Sequence, residues 1–165
     1  MNHPNLAIGT SVDVHRFKAG LPLVLGGLPI AHPFGLEAHS DGDVLLHAVL
    51  DAILSAADLP DLGTLFPDSD ESQRGRSSVE MAREVVRRLK VCGARVLSVD
   101  SVLLCEAPRI SPLREQIRAA LAAALDLKPA QVNVKGKTYE KLGPIGSGEC
   151  IEARAVALVE RAPSA

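Results

Sequence analysis

The pattern of apolar and polar positions predicts short strands near both ends of the chain and helices between them. Runs of aliphatic and β-branched residues that alternate with polar ones, bounded by Gly, Pro, Asn or Asp, are typical of strands. The predicted strands cover residues 6–14, one or two segments within 21–30, and residues 95–105, 132–138 and 151–160.

Three segments between these strands show the apolar period of helices. The first begins near Ser40, which we expect to cap it, with Asp43 three residues later completing a capping box. The second covers residues 78–92 and follows a cap at Ser77. The third opens at Ser111 and the proline after it.

The intervening segment 58–76 is rich in Pro, Gly, Asp and Ser and has no apolar period. It is therefore predicted to be a long loop, and such loops are often functional or mobile. Strand pairs at both ends with helices between them favour the α+β class. We expect a single domain over residues 1–165, with a mixed β-sheet and helices packed on one face.

Composition narrows the function classes. Apolar residues make up 47% of the chain and aromatic residues 2%, so the core must consist of aliphatic side chains and Ala. A net charge of −2 argues against a general nucleic-acid or membrane-surface binder, which would carry a basic face. The opening residues lack the pattern of a signal peptide, and no run approaches the roughly 18 apolar residues of a membrane span.

The cysteine pattern indicates a reducing compartment. Cys92, Cys105 and Cys150 are odd in number and lack the CxxC spacing of zinc or redox sites. Reduced, packed thiols of a cytoplasmic protein are the simplest interpretation.

One polar stripe interrupts the apolar first helix. Asp43, His47 and Asp51 recur every four positions, and residues four apart are neighbours on one helix face. A solvated strip with Asp43 as a cap would explain this pattern, and so would a core histidine satisfied by one acid. Both explanations stay open at this point.

A second pair of polar residues favours a metal site. Asp13 and His15 alternate along the first strand, so their side chains point the same way, roughly 6–7 Å apart. Together with His47 they would provide three oxygen and nitrogen ligands, which suits a catalytic zinc with an open fourth position. A surface strand with outward polar residues is the alternative.

The segments DVHRF, AHSDGDVLLHAVLDAIL, DLGTLFPDSD, APR and VKGKTYEKLG occur in order across nearly the whole chain. Together they resemble the 2-C-methyl-D-erythritol 2,4-cyclodiphosphate synthase family of the non-mevalonate isoprenoid pathway. The resemblance implies a homotrimer of chorismate-mutase-like subunits with active sites between neighbours. It also implies conversion of 4-diphosphocytidyl-2-C-methyl-D-erythritol 2-phosphate into the cyclic diphosphate and CMP.

The same resemblance implies functional residues. Zinc ligands would be Asp13, His15 and His47, and the carboxylate for Mg²⁺ or Mn²⁺ would be Glu140. His39 and Thr138 would help to stabilise the transition state. The substrate-binding residues that it implies are Ser40, Asp43, Asp51, Asp61, Leu62, Gly63, Phe66, Pro67, Asp68, Ser69, Asp70, Cys105, Glu106, Ala107, Pro108, Arg109, Ile110, Ser111, Lys137, Tyr139, Pro144 and Ser147.

Within this set, segment 61–70 would close over the methylerythritol part and segment 105–111 would face the nucleotide. One of Asp43 and Asp51 could orient the ring of His47, while the other meets substrate hydroxyls. The sequence does not assign these two tasks.

Several positions depart from the family pattern. Ser11 stands where a glycine is expected, and Lys137 and Tyr139 interrupt a threonine run. Pro144 and Ser147 stand where many members carry an aromatic residue and an arginine. In those members the arginine lies near a cavity on the trimer axis that can hold an isoprenoid phosphate. Binding of that ligand is therefore open here.

Two other functions compete with the synthase. Two histidines and one carboxylate also form the triad of non-haem iron oxygenases, although the chain has too many predicted helices for their usual barrel. A trimeric nucleotide- or metal-binding module without turnover is the non-catalytic alternative. Zinc content and CMP release separate these possibilities.

Overall fold

A mixed five-stranded sheet and a separate two-stranded hairpin contain the strands of residues 5–162, the part of the chain that the computed structural model describes. The strands are β1 (Asn5–Ala19), β2 (Leu23–Leu25), β3 (Leu28–Ile30), β4 (Phe34–Leu36), β5 (Arg95–Leu104), β6 (Val132–Lys137) and β7 (Cys150–Arg161). The helices are α1 (Val44–Ala57), α2 (Leu62–Leu65), α3 (Ser78–Val91), α4 (Arg114–Ala124) and α5 (Gly143–Gly146).

The strand order of the large sheet is β4-β1-β7-β5-β6. Only the β5–β6 pair is parallel among these neighbours, and the long β1–β7 pair is antiparallel. The predicted α+β class with a mixed sheet is confirmed. Two strands separate β1 from β6, and since neighbouring strands lie about 4.8 Å apart, these two strands are roughly 14 Å apart.

Helix α1 forms the centre of the core. All of its residues are buried except His47, Asp51 and Ser55, which follow one another every four positions. The helix packs against β1 and β7, and α3 and α4 extend the same layer. A polar stripe on an otherwise buried helix is therefore confirmed, but its members are His47, Asp51 and Ser55.

The predicted start of this helix is wrong. Asp43 itself is the N-cap, and its carboxylate accepts a hydrogen bond from the backbone N–H of Leu46. Gly42 has a φ of +74°, a left-handed conformation that a helix cannot include. The helix therefore begins after Asp43, and Ser40 lies outside it.

Helices α3 and α4 follow the predictions closely, whereas the four-residue helices α2 and α5 were not predicted. Ser77 caps α3 by accepting a hydrogen bond from the N–H of Val79, as expected. Helix α4 begins at Arg114, slightly later than the sequence predicts. The predicted loop 58–76 contains α2 and a 3₁₀ turn at Glu71–Gln73, each too short to show an apolar period.

The sheet face opposite the helices is open. It exposes a set of large aliphatic side chains, namely Leu6, Ile8, Val12, Val14 and Val156. The helices therefore cover one face of the sheet, as predicted. Within residues 5–162, no helix combines the length and apolar character that crossing a bilayer requires.

Candidate active site

Three side chains from β1 and α1 converge where these two elements pack together. Asp13 Oδ2 lies 3.0 Å from Nε2 of His15 and 3.1 Å from Nδ1 of His47. The two ring nitrogens are 3.4 Å apart. Alternation along β1 turns Asp13 and His15 toward α1, on the same face as the buried Gly9. The sequence prediction that these three residues share one site is therefore confirmed.

The Nδ1 atom of His15, which does not face Asp13, defines the tautomer of the ring. Nδ1 lies 2.9 Å from the backbone oxygen of Glu37, which can only accept a hydrogen bond. Nδ1 therefore carries the proton in the neutral ring, and Nε2 presents a lone pair to the Asp13 carboxylate. A carboxylate and a lone pair this close repel each other unless a cation lies between them. The cluster can thus hold a metal ion through one oxygen and two nitrogen atoms.

The side chains of this cluster shift one another's pKa values in opposite directions, and both shifts favour the charged forms. Burial alone would raise the pKa of Asp13, but hydrogen bonds and positive charge from the two histidines hold it well below its usual range. Burial would lower the pKa of His15, yet the hydrogen bond and charge of Asp13 raise it on balance. In the absence of metal, protons therefore bind where a cation would.

An open cavity of about 260 Å³ surrounds the cluster. It is lined by Asp13, His15, Ala38, His39, Ser40, His47, Asp51, Leu62, Gly63, Phe66, Asp68 and Met81. Most of these are residues that the family resemblance assigns to metal binding, catalysis or the methylerythritol part. The Nε2 atom of His39 is buried and has no hydrogen-bond partner within the described residues, so it is available to a ligand.

Asp51 and Asp61 hold one wall of this cavity in place. Asp51 accepts a hydrogen bond from the N–H of Leu62 at 2.8 Å, and Asp61 caps α2 through the N–H of Thr64. Burial raises the pKa of Asp51, against the effect of that hydrogen bond. Both carboxylates thus fix the short helix that brings Leu62 and Gly63 to the cavity.

Only some residues at the end of segment 61–70 line this cavity. Phe66 lines it and stacks under the Arg76 guanidinium, whose central carbon is 4.9 Å from the ring centroid. Asp70 instead caps the 3₁₀ turn through the N–H of Ser72. Pro67 and Ser69 also lie outside the lining of this cavity.

Asp43 does not belong to the cavity, which corrects the sequence expectation. Its carboxylate is fully buried and accepts hydrogen bonds from the backbone N–H groups of Gly26, Gly27 and Leu46. Burial raises its pKa, while these three donors act in the opposite direction. Asp43 therefore joins the β2–β3 hairpin to the start of α1, and its carboxylate is not exposed to the cavity.

A second group of predicted residues lines a cleft of about 150 Å³ between the β5–α4 connection and the end of β6. Its lining comprises Cys105, Glu106, Pro108, Arg109, Ile110, Ser111, Gly136, Lys137 and Thr138. The Ala107–Pro108 peptide bond in this turn is cis. Burial raises the pKa of Cys105 to about 11, so its side chain stays a neutral thiol.

Glu140 follows this cleft on a tight turn. It has a φ of +50°, and its Oε1 accepts a hydrogen bond from the hydroxyl of Thr138 at 2.9 Å. Glu106 holds the turn, because its carboxylate accepts the N–H of Tyr139 at 3.0 Å and that of Lys141 at 3.4 Å. In this chain the Glu106 side chain is therefore occupied by the backbone on both sides of Glu140.

The last predicted contacts lie outside both cavities. The Tyr139 hydroxyl accepts a hydrogen bond from Arg154 at 3.3 Å. The Ser147 hydroxyl donates to Glu149 at 2.7 Å and also lies 3.2 Å from the carbonyl of Pro144. Neither the cavity near His47 nor the cleft near Thr138 includes these residues.

Within one chain the two groups are far apart. Asp13 pairs with Ala153, which pairs with Leu103, which in turn pairs with Gly136 of β6. Three strand spacings, roughly 14 Å, therefore separate the metal cluster from the strand that leads to Glu140. Neither the apolar pattern nor the motif spacing shows this separation, although the family resemblance implies active sites between neighbouring subunits.

Sequence reasoning also missed two residues behind His47. Ser78 Oγ lies 2.8 Å from Nε2 of His47, and the Asp41 carboxylate accepts hydrogen bonds from the hydroxyl and the N–H of Ser78. In the sequence, Ser77-Ser78 is typical of a helix start, and Asp41 looks like a turn residue. Only the packing of α3 against α1 reveals their contact with the site.

Comparison with known proteins agrees with this geometry. The chain matches the YgbB family over residues 6–160. It is 49% identical over 156 residues to the 2-C-methyl-D-erythritol 2,4-cyclodiphosphate synthase of Laribacter hongkongensis, covering 94% of this chain and 96% of that one.

Solved structures show the same fold. IspF of Plasmodium falciparum, in a complex with CDP, superimposes with a TM-score of 0.83 at 32% identity, covering 97% of this chain and 99% of that one. The bifunctional IspDF of Campylobacter jejuni gives a TM-score of 0.92 at 34% identity over 97% of this chain and 43% of that one. With matched motifs, a shared fold and an assembled Asp-His-His cluster, the chain belongs to the YgbB family of 2-C-methyl-D-erythritol 2,4-cyclodiphosphate synthases.

Proposed function

We propose that this protein is a 2-C-methyl-D-erythritol 2,4-cyclodiphosphate synthase. It converts 4-diphosphocytidyl-2-C-methyl-D-erythritol 2-phosphate into the cyclic diphosphate and CMP. The observation that carries the proposal is the convergence of Asp13, His15 and His47 in a cavity that the family's own motif residues line.

The reaction needs positioning more than acid–base chemistry. An oxygen of the 2-phosphate attacks the β-phosphorus of the same molecule, and a P–O bond forms. The bond between that phosphorus and the bridging oxygen of the α-phosphate breaks, and CMP leaves with the electron pair. A phosphomonoester has its second pKa near 6, so the nucleophile is already ionised at neutral pH. Phosphoryl transfer of this kind depends on alignment and charge neutralisation.

We assign zinc to Asp13, His15 and His47, and Mg²⁺ or Mn²⁺ to Glu140 together with the substrate phosphates. Such ions supply Lewis-acid polarisation of phosphate oxygens and hold attacking and leaving groups in place. One carboxylate and two imidazoles are a typical catalytic zinc set. Glu140 offers a single carboxylate, which suits an ion that keeps waters and binds substrate phosphates.

The chain's own residues would contribute hydrogen bonds to the phosphates. His39 has an unpartnered buried Nε2 in the cavity wall, and we assign it a hydrogen bond to a phosphate oxygen, which would stabilise charge that develops there in the transition state. The Thr138 hydroxyl donates its proton to the Glu140 carboxylate in the free protein, so Thr138 would donate to a phosphate only after a metal ion takes its place on that carboxylate. The cleft around Arg109 and Lys137 adds two cationic side chains, and we assign it to the cytidine end.

We further propose a homotrimer with active sites between neighbouring subunits. In one chain three strand spacings, roughly 14 Å, separate β1, which carries Asp13 and His15, from β6, which leads to Glu140, and we infer that Glu140 serves the cluster of another subunit. The open sheet face presents Ile8 at 70% exposure and Val12 at 60%, and packing it against other copies would remove this apolar surface from water. A neighbouring subunit would then supply Glu140 to the cavity near His47.

Two finer assignments complete the proposal. A single domain over residues 1–165 fits the family match, which spans residues 6–160. A cytoplasmic location is supported by Cys92, Cys105 and Cys150, which are all free thiols. Because Ser147 replaces the arginine seen in many members, an isoprenoid phosphate on the trimer axis is not part of the proposal.

The competing functions receive less support. The iron oxygenases usually have a double-stranded barrel, whereas this fold has a mixed five-stranded sheet covered by helices on one face and a separate two-stranded hairpin. A module without turnover would not need the cavity to retain His39, Asp51 and Asp68 around the metal cluster, yet all three line it.

Release of CMP tests the proposal. Purified zinc-loaded protein with magnesium should convert the diphosphocytidyl substrate into CMP and the cyclic diphosphate in a 1:1 ratio. His47→Ala should lose zinc and activity while keeping its circular dichroism spectrum. If the wild-type protein releases no CMP while a known synthase does so in parallel, the proposed activity is wrong. Iron binding with turnover of 2-oxoglutarate would support the oxygenase instead.

A further inference from the structure

His47 makes a second set of contacts on the side of its ring that faces away from Asp13. Its Nε2 lies 2.8 Å from Ser78 Oγ and 3.2 Å from Ser40 Oγ. Ser78 is the first residue of α3 and is fully buried. The ring that offers Nδ1 to the metal cluster is thus held from behind by another helix.

Asp41 determines where the proton of the Ser78 hydroxyl points. One carboxylate oxygen accepts that O–H, and the other accepts the N–H of Ser78 at 2.8 Å. Asp41 is itself anchored, because its N–H donates to the carbonyl of Arg76 at 3.1 Å. A carboxylate can only accept, so the Ser78 proton is directed to Asp41 and its lone pairs face His47.

This arrangement selects one tautomer of His47. A hydroxyl whose proton is donated to Asp41 can only accept from the imidazole, so Nε2 must carry the proton. Nδ1 then keeps its lone pair, directed at Asp13 Oδ2 and His15 Nε2. We propose that Asp41 and Ser78 are positioning residues that hold His47 in the tautomer and ring orientation required for metal binding. This inference rests on the metal site proposed above.

Ser40 is less suited to this task. Its hydroxyl is farther from Nε2 than that of Ser78, and it also lies 3.3 Å from the N–H of Gly42, from which it accepts. It has no carboxylate partner among the described contacts, so nothing fixes the direction of its proton. The hydrogen bond from the Ser78 hydroxyl to the Asp41 carboxylate fixes the direction of the Ser78 proton and makes Ser78 the determining partner.

Both histidines are then oriented in the same way, by a hydrogen bond from the ring nitrogen that faces away from the metal cluster. His15 donates its outer N–H to the carbonyl of Glu37, and His47 donates its own to Ser78. Outer partners of this kind fix the tautomer of metal-binding imidazoles, and their loss typically weakens metal affinity about 10- to 100-fold.

Three variants separate this positioning effect from helix capping. Ser78→Ala removes the acceptor for His47 but keeps the backbone N–H that Asp41 binds. Asp41→Asn keeps the size of the side chain. When its amide oxygen accepts the N–H of Ser78, its NH₂ faces the hydroxyl, reversing the hydrogen bonds and favouring a proton on Nδ1 of His47. Ser77→Ala is the matched control, because Ser77 caps α3 through Val79 and does not contact His47.

The measurement is the zinc dissociation constant of each full-length protein, obtained by competition with a chromophoric chelator. Ser78→Ala and Asp41→Asn should bind zinc about 10- to 100-fold more weakly than wild type, and Ser77→Ala within about twofold. In zinc-loaded wild type and Ser77→Ala, the Nε2–H of His47 should give a slowly exchanging ¹⁵N–¹H signal. Ser78→Ala should lose this signal while the Nδ1–H signal of His15 persists, which excludes general unfolding.

The outcomes separate this inference from the proposed function. Zinc affinities of Ser78→Ala and Asp41→Asn that match Ser77→Ala would overturn the positioning roles and leave the synthase proposal intact. A wild-type protein that binds no zinc would overturn the metal site and the positioning roles together.

Discussion

Gly9 of β1 lies directly beneath the carbonyl of Ala52 in α1. A Cβ built on Gly9 would lie 2.0 Å from the Ala52 oxygen and 2.5 Å from the nitrogen of Ala56. Since both are backbone atoms, no side-chain movement relieves the clash. This contact sets the distance between β1, which carries Asp13 and His15, and α1, which carries His47.

We therefore predict that Gly9→Ala destabilises the protein and disturbs the metal cluster. Moving α1 away from β1 should cost about 3 kcal/mol or more in the free energy of unfolding. Zinc affinity should fall with it, because His47 moves away from Asp13. Urea unfolding at fixed protein concentration and chelator competition measure the two effects.

Gly63→Ala is the control for this substitution. Its Cβ would meet only Asp61 Oδ1, at 3.9 Å, and the residue lies in α2. The unfolding free energy should stay within about 1 kcal/mol of wild type. Equal stabilities of Gly9→Ala and Gly63→Ala would show that the close packing of α1 on β1 is incorrect.

We predict that Asp43 stabilises the fold, whereas the family resemblance implies that it binds substrate. Asp43→Asn preserves the acceptor for Gly26 and Leu46 but turns an NH₂ toward the N–H of Gly27. We expect a loss of about 1–3 kcal/mol in unfolding free energy, and a larger loss for Asp43→Ala. Chemical denaturation monitored by circular dichroism provides the measurement.

Asp51→Asn provides the comparison, because its amide oxygen can still accept the single hydrogen bond from Leu62. It should change stability by less than about 1 kcal/mol. A stable Asp43→Ala variant would contradict the buried hydrogen bonds assigned to this carboxylate.

Stabilisation by zinc should increase with pH. The pKa of His15 is raised above its ordinary value of 6.5, so its protonated form stabilises the metal-free fold. That stabilisation is fully present below pH 6.5 and is lost as the pH rises through the higher folded-state pKa. Zinc requires the neutral ring, so protons and zinc compete.

Thermal unfolding with and without zinc, between about pH 5.5 and 8, tests this competition. The zinc-induced rise in Tm should be small at the acid end and large at the alkaline end. In His15→Ala the pH dependence of that rise should be strongly reduced. A zinc effect that is constant across this range would mean that His15 is not a ligand.

Much of this architecture is predictable because it depends on local pattern. Ser77 caps α3, the apolar run of α1 is buried, and alternation alone puts Asp13 and His15 on one side of β1. These features depend on residues a few positions apart.

The sequence-based predictions that are wrong concern contacts between distant segments. Asp43 is occupied by Gly26 and Gly27, and neither Asp43 nor Asp51 orients His47, since Ser78 takes that place. Such partners are set by how the hairpin and α3 pack against α1. The apolar period of the sequence does not show which distant segments pack together. The distance between His47 and Glu140 likewise depends on the strand order, which the sequence does not specify.

In the proposed trimer, one catalytic centre combines His47 of one subunit with Glu140 of its neighbour. Mixing His47→Ala and Glu140→Ala chains in equal amounts, by joint unfolding and refolding, tests it directly. Each variant alone should be inactive. Random assembly should restore intact pairs in about a quarter of the sites, and CMP release should return to about a quarter of the wild-type rate. Mixed assemblies that stay as inactive as the separate variants would contradict a site shared between subunits.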